Sequence, residues 1–217
     1  MTDADRAIAL LARPACALGG AVVRARPGPA RDTFMAALLA ALPPGTPVRR
    51  LPPSVADDRL LGGLDLAATL ASGRPVMASG LLAEADGGLV IVPMAERLPP
   101  ETAARLALTL DSGLVPSAGP APARASLRLL LLDEGIDDEA VPACLAERLA
   151  LHLDLDTPAV PATDSDAAGA DAPVADVPAL MCAIADELGC ASLRAPLLAL
   201  RAAQALAAVR AGASAQA

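Results

Sequence analysis

Eight residues, Ala25-Arg26-Pro27-Gly28-Pro29-Ala30-Arg31-Asp32, stand between a short apolar run, Gly20 to Arg24, and an amphipathic segment, Thr33 to Leu42. A strand, a Gly/Pro loop carrying basic residues and a helix, in that order, are the parts of a phosphate-binding loop. In a working loop, G-x-x-x-x-G-K-[ST], glycines let backbone N–H groups face the phosphates. The lysine bridges the β- and γ-phosphates and the hydroxyl holds Mg²⁺. Here Ala25 and Ala30 replace the glycines, Arg31 the lysine and Asp32 the hydroxyl. Pro27 and Pro29 remove two N–H donors. Asp32 puts a carboxylate where a phosphate would sit, a conflict that only a divalent ion could relieve. Gly28, Arg31, Asp32 and Thr33 are the candidate nucleotide contacts, with weak binding or none expected. Taken alone, the stretch reads equally well as an ordinary strand–loop–helix. Arg24, Arg26 and Arg31 cluster around it, either gripping a phosphate weakly or pairing with acids of a neighbouring subunit; the pairing is the preferred reading.

The other elements an ATPase needs are altered together. The apolar strand Leu89 to Val92 should lead into Asp-Glu, to hold Mg²⁺ and activate water; it leads into Pro93-Met94. Glu96, four positions beyond Val92, reads as a loop residue. The strand over Leu129 to Leu132 should lead to a polar sensor, and the nearest position is Gly135. His152 is the sole histidine, which rules out a His-rich metal site; it reads as a strand residue. The four cysteines, Cys16, Cys144, Cys182 and Cys190, form no CxxC pair and read as small buried hydrophobes of a reducing cytosol. No metal site is expected.

These positions must be held by a regular frame. Helices are expected over Asp5–Leu11, Thr33–Leu42, Leu64–Ala71, Leu81–Ala85, Pro99–Leu110 and Asp137–Arg148, with Gly62-Gly63 as a turn or hairpin signal. Strands are expected over Gly20–Arg24, Val48–Leu51, Leu89–Val92, Leu127–Leu132 and Leu149–Leu155, and a loop over Ser112–Ala123. Strands alternating with helices predict an α/β fold, a five-stranded parallel sheet with helices on both faces and right-handed crossovers. From Thr157 to Asp176 the pattern gives way to a linker of Pro, Ala, Asp, Gly, Thr and Ser. Two helices follow, Val177–Leu188 and Leu193–Val209. The division is therefore an α/β core over 1–156, a linker over 157–176 and a small C-terminal helical lid over 177–217.

Composition narrows the partners. The chain has 217 residues, a net charge of −8, one phenylalanine, no Trp or Tyr, and arginine as every basic residue. With no aromatics for stacking and a net negative charge, nucleic acid is excluded as a partner. No run is apolar enough to span a membrane, and the acidic flank Thr2-Asp3-Ala4-Asp5 is wrong for a signal peptide. A cytoplasmic protein is expected.

Two longer stretches carry a family resemblance. Asp57-Asp58-Arg59-Leu60-Leu61-Gly62-Gly63-Leu64-Asp65-Leu66, followed by Gly80 to Gly88, resembles the AAA+ subunits of magnesium chelatase. In that family the segments read EDRVxGTxDIExAL and PGLLAxAxxGILYVDE. Leu110-Asp111-Ser112-Gly113 resembles its LLDxAxSG, Glu147-Arg148-Leu149-Ala150-Leu151-His152 its DRFGLH, and Ser192 to Ala195 with Arg201 its sensor-2 region. With the phosphate-gripping motifs lost, the better likeness is to the D-type subunit, specifically its N-terminal AAA+ domain. The resemblance implies an AAA+ P-loop-type module that hydrolyses no ATP and assembles with the ATP-hydrolysing I subunit. The porphyrin-binding H subunit completes a complex that inserts Mg²⁺ into protoporphyrin IX, toward bacteriochlorophyll. It implies no tightly held cofactor, with ATP and Mg²⁺ at the interface with the I subunit. Arg148 takes the position of an arginine finger acting in trans; by its residues alone it is equally a solvated arginine at a helix end. Arg194 takes the sensor-2 position, or is a surface residue of the lid. The D-type acidic linker and integrin-type domain are absent here, which reads as a fragment. A nucleotide enzyme using Arg31 and Asp32, and an interaction subunit of another chelatase or MoxR-like assembly, are the alternatives.

Overall fold

A computed structural model of the chain describes residues 2–13, 17–116, 122–157, 176–190 and 192–214. Five strands form one parallel sheet: β1 (Gly20–Arg24), β2 (Val48–Arg50), β5 (Leu89–Val92), β8 (Arg128–Asp133) and β9 (Leu151–Asp154), in the order β2-β5-β8-β1-β9. The predicted α/β class holds, with helices on both faces. The strand β8 lies between β5 and β1, with Leu130 paired to Ile91 on one side and to Ala21 on the other. Its unbroken apolar run, Leu129 to Leu132, is what a strand covered on both faces requires. Leu129 and Leu131 enter one core, with residues of α5 (Leu81–Glu84) and α6 (Pro100–Ser112). Leu130 and Leu132 enter the other, with Leu11 of α1 (Asp3–Leu11) and Phe34 and Leu38 of α2 (Pro29–Ala41). The edge strand β9 alternates half-buried Leu151 and Leu153 with exposed His152 and Asp154, and His152 is a strand residue as expected.

The helix ends follow local chemistry. Thr2 caps α1: its Oγ1 accepts from the Asp5 N–H at 3.1 Å, and the Asp5 carboxylate accepts from the Thr2 N–H at 2.8 Å, a capping box. α2 starts at Pro29, four residues before the expected Thr33, behind Gly28 as its cap. Proline suits a first helical position, where its fixed φ is helical and its missing N–H is not needed. Only Ala25 to Gly28 therefore remain as loop, and Ala30, Arg31 and Asp32 belong to the first turn of α2.

Three expectations are corrected. Asp137–Arg148 is no helix; a turn with Asp137 at φ 55° leads to a four-residue helix α7 (Ala143–Ala146) capped by Pro142. Proline keeps the preceding residue, Val141, out of the helical region, so only the segment behind it can coil. Gly62-Gly63, read as a turn or hairpin signal, stands in an antiparallel strand pair and not in the turn itself. Gly62–Leu64 is a strand, β3, antiparallel to β4 (Met77–Ser79), and between them runs α4 (Leu66–Ser72). Asp65 sets this arrangement: its carboxylate accepts from the Ala68 N–H at 2.9 Å while its own N–H donates to the Val76 carbonyl at 2.8 Å. The loop expected over Ser112–Ala123 contains a short antiparallel pair, β6 (Leu114–Val115) with β7 (Ala123–Arg124); the start of α6 at Pro100 instead of Pro99 is a one-residue difference. The cysteines are also not buried: Cys144, Cys182 and Cys190 are free and exposed, and Cys16 lies outside the described residues.

The C-terminal helices are α8 (Val177–Glu187) and α9 (Arg194–Ser214), packed on each other, with α9 also against α1. Apart from its ends, the expected linker lies outside the described residues. Among the described residues no helix is long and apolar enough to cross a membrane, and no group of His, Cys, Asp and Glu could hold a metal ion.

Candidate functional site

The residues singled out by sequence fall into two clusters at opposite ends of β1, roughly 16 Å apart along a five-residue strand. At its carboxyl end stand the loop Ala25 to Gly28 and the arginines around it. The guanidinium of Arg31 donates from Nη1 to Glu134 Oε1 at 2.8 Å, with both side chains about one-fifth exposed, at 19% and 20%. Glu134 is itself held: its backbone N–H donates to Glu96 Oε2 at 3.1 Å. Glu96, expected as a plain loop residue, has a side chain only 2% exposed, next to Arg97 at 3.7 Å. Arg24 donates from Nη2 to the Gly135 carbonyl at 3.1 Å and lies 3.8 Å from Asp133. Gly135 supplies no polar side chain, but its N–H donates to Asp133 Oδ1 at 3.0 Å. Arg26 offers its backbone N–H to both carboxylate oxygens of Asp156, at 3.0 and 3.1 Å. Within this chain Arg24, Arg26 and Arg31 pair with Asp133, Asp156 and Glu134, whereas the preferred reading from sequence placed such acids on a neighbouring subunit. Asp32 and Thr33 are exposed in the first turn of α2, and Gly28 is half-buried at its start.

Asp133 and Glu134 were missed by the reading of the sequence, and a signal for them existed. They directly follow four consecutive leucines, the apolar-strand-then-Asp-Glu pattern sought behind Val92. Topology puts that pattern on β8, the strand hydrogen-bonded to β1, one strand nearer the loop than β5. There the carboxylate of Glu134 meets the positive charge of Arg31.

The second cluster lies at the amino end of β1, where Ala150 N–H donates to the Leu18 carbonyl at 2.9 Å. Arg148, between α7 and β9, is 15% exposed at its side chain. Its Nε and Nη2 donate to Asp111 Oδ2 at 3.0 and 2.7 Å, and its Nη1 donates to the Cys144 carbonyl at 2.6 Å and to Glu147 Oε1 at 2.5 Å. Arg194, the first residue of α9, donates from Nη1 and Nη2 to Asp111 at 3.1 and 3.4 Å. The structure therefore brings Arg148 and Arg194 together on one carboxylate, and separates both from Arg31 and Asp32. A cavity of about 310 Å³ adjoins them, reached also by Arg128 and Arg201. Arg128 is buried and donates to the carbonyls of Leu11, Arg13, Gly87 and Gly88.

The hydrogen bond from Arg148, and after it that from Arg194, holds the Asp111 carboxyl below its ordinary value of 3.8 against the opposing effect of burial. The bond to Asp111 in turn raises Arg148. Because the folded value of Asp111 is depressed, its pairing stabilises the fold above the ordinary carboxylate value and is lost as pH falls through the lowered one. A carboxyl ¹³C titration is expected to place the Asp111 midpoint below 3.8 and, in Arg148→Ala, to move it up toward that value. An unmoved midpoint would contradict the assigned cause.

No protein-family model matches the chain. It is similar to the magnesium-chelatase 60 kDa subunit of Cereibacter sphaeroides, 43% identical over 217 residues, covering 94% of this chain and 36% of that protein. The 60 kDa subunit of Rhodobacter capsulatus is 40% identical with the same two coverages, 94% and 36%. The 67 kDa subunit of Chlorobaculum parvum is 38% identical over 115 residues, 53% of this chain and 18% of that one. The chain thus spans about a third of the length of the curated 60 kDa relatives it matches, at 36%. Among solved structures, one of the complex between subunits BchI and BchD of magnesium chelatase aligns with a TM-score of 0.52 at 20% identity, over 70% of this chain and 61% of that chain. NtrX from Brucella abortus aligns at 0.53 and 14% identity, over 95% and 49%. At these identities the structures show the fold alone, a five-stranded parallel sheet with C-terminal helices. Sequence identity of 40–43% over 94% of its length relates the chain to the magnesium-chelatase 60 kDa subunits, of which it matches 36%.

Proposed function

We propose that the chain is a non-hydrolysing AAA+ scaffold of magnesium chelatase. It assembles with the ATP-hydrolysing I subunit, in a complex with the porphyrin-binding H subunit, to drive insertion of substrate Mg²⁺ into protoporphyrin IX in the cytoplasm. One observation carries the loss of its own ATPase: the 2.8 Å pair between Arg31 and Glu134. The fold implies a nucleotide triphosphate with Mg²⁺ at that loop, and the residues there do not fit it. The cation that should meet the phosphates is neutralised, Asp32 repels them at the helix start, and two N–H donors are prolines. Glu134, its backbone N–H held by Glu96, sets a carboxylate against Arg31, and Asp32 adds an exposed one in the first turn of α2.

Arg148 supports the complementary half of the reading. ATP sites of AAA+ rings lie between subunits, and an arginine from the neighbour stabilises charge in the transition state. A subunit without a phosphate grip still completes the next subunit's site if it keeps that arginine at its far edge. Arg148 stands at the end of β1 opposite the altered loop.

Two measurements test the proposal. A fluorescent ATP analogue is expected to show no saturable binding to the chain and no turnover. The immobilised magnesium-chelatase ATPase subunit is expected to capture the chain from solution. Saturable binding with turnover favours a nucleotide enzyme working through Arg31 and Asp32. Failure of capture favours a different chelatase or MoxR-like assembly. Glu134→Gln, which removes the charge opposite Arg31 while keeping an acceptor oxygen, is expected to leave nucleotide binding undetected, because Asp32 and the two prolines remain.

A further inference from the structure

The carboxylate of Asp111 is the shared acceptor of two guanidiniums that come from different parts of the molecule. Arg148 precedes β9 in the core, Arg194 opens α9, and Asp111 lies in the last turn of α6 between them. Arg148 has five N–H hydrogens. Two are given to Asp111, one to the Cys144 carbonyl and one to Glu147, which leaves one on Nη2. A free arginine side chain samples many rotamers, and most of that freedom is removed here before any ligand arrives. The remaining partners of Arg148 are near it in sequence and would follow α7 wherever it moved. Asp111 alone refers the guanidinium to a separate element, and through Arg194 to α9.

We propose that Asp111 is a positioning residue for Arg148, fixing the orientation of its guanidinium and tying that orientation to the docking of α9. This rests on the reading of Arg148 as a group that serves the adjacent subunit's ATP. Arg148 meets a phosphate across the interface in a set direction only while Asp111 holds its Nε edge. Arg194, pulling on the same carboxylate, makes that condition depend on where α9 sits.

Asp111→Asn keeps the size and removes the charge. In the complex of the chain with the magnesium-chelatase ATPase subunit, this change is expected to lower the rate of the ATP sites that Arg148 borders about tenfold with KM unchanged, a smaller loss than the roughly 10²-fold that a 1 Å misplacement can cost. Asp111→Glu is expected to stay within about threefold of wild type. Asp111→Asn combined with Arg148→Ala is expected to be no slower than Arg148→Ala alone, because both act through one guanidinium. If Arg148→Ala slows the complex while Asp111→Asn runs at the wild-type rate, or if the two losses multiply, the proposal is overturned and the reading of Arg148 stands. If Arg148→Ala itself has no effect, that reading falls and the inference with it. A second measurement is independent of assembly: in the isolated chain the Arg148 Nε–H resonance is expected to exchange with water at least ~10-fold faster in Asp111→Asn. Equal exchange overturns the proposal.

Discussion

Arg148→Ala, assembled with the magnesium-chelatase ATPase subunit, is expected to cost the ATP sites it borders about 10³-fold or more in rate, the lower end of what arginine fingers contribute. Total turnover falls by the share of the rate that those sites carry. The effect should be separable from folding. Removing the side chain leaves Asp111 paired with Arg194 and 38% exposed at its side chain, so no buried carboxylate is orphaned. Cys144 contributes a backbone carbonyl at an exposed position, which water satisfies. Gel filtration of the complex is therefore expected to be unchanged while turnover drops. Arg148→Lys keeps the charge but not the planar fork, and is expected to recover only part of the rate. Wild-type ATPase and chelatase rates in an intact complex of the alanine variant would remove Arg148 from the mechanism.

What could be read from sequence, and what could not, divides along a physical line. β1, β5 and β8 announce themselves because a strand covered on both faces must be apolar at every position, and few other segments are. The order strand, loop, helix over Gly20 to Ala41 was legible because two apolar segments flank a Gly/Pro stretch. Segments governed by one proline or one side-chain cap were less so. Pro29 extends α2 backwards and Pro142 deletes most of a helix, though the sequence around each is rich in helix formers. The pairs Arg31–Glu134 and Arg148–Asp111 join residues 103 and 37 positions apart. No periodicity links such residues. Only the strand order, which seats β8 beside β1 and α6 beside α7, brings them together. The sign of the arginine cluster's pairing was accessible from composition; its partners being in the same chain was not.

Gly20→Ala is expected to be the most damaging single-methyl change in the molecule. Gly20 has φ +139°, a region that side chains rarely enter, and a Cβ there would stand 1.8 Å from the Leu129 carbonyl oxygen, its partner across β1 and β8. Relief requires β1 and β8 to separate, and Leu130 and Leu131 lie fully buried on either side of that seam. Backbone strain of about 1–3 kcal/mol and overpacking of about 1–3 kcal/mol add to a loss near 4 kcal/mol, a large fraction of the roughly 5–15 kcal/mol that keeps a domain folded. Gly45→Ala is the control: φ is +80° but nothing lies within 4 Å of the added carbon, so it should cost only about 1–2 kcal/mol. Urea unfolding of the two variants isolates the collision from the strain, and equal midpoints would show that β1 and β8 have room to give. The consequence reaches function because β1 holds both clusters in place. Arg24 at one end is fixed against Gly135, and Leu18 at the other receives the Ala150 N–H beside Arg148. A β1 pushed off β8 displaces the neutralised loop and the arginine edge together, so binding to the ATPase subunit is expected to fall with stability in Gly20→Ala and to survive in Gly45→Ala.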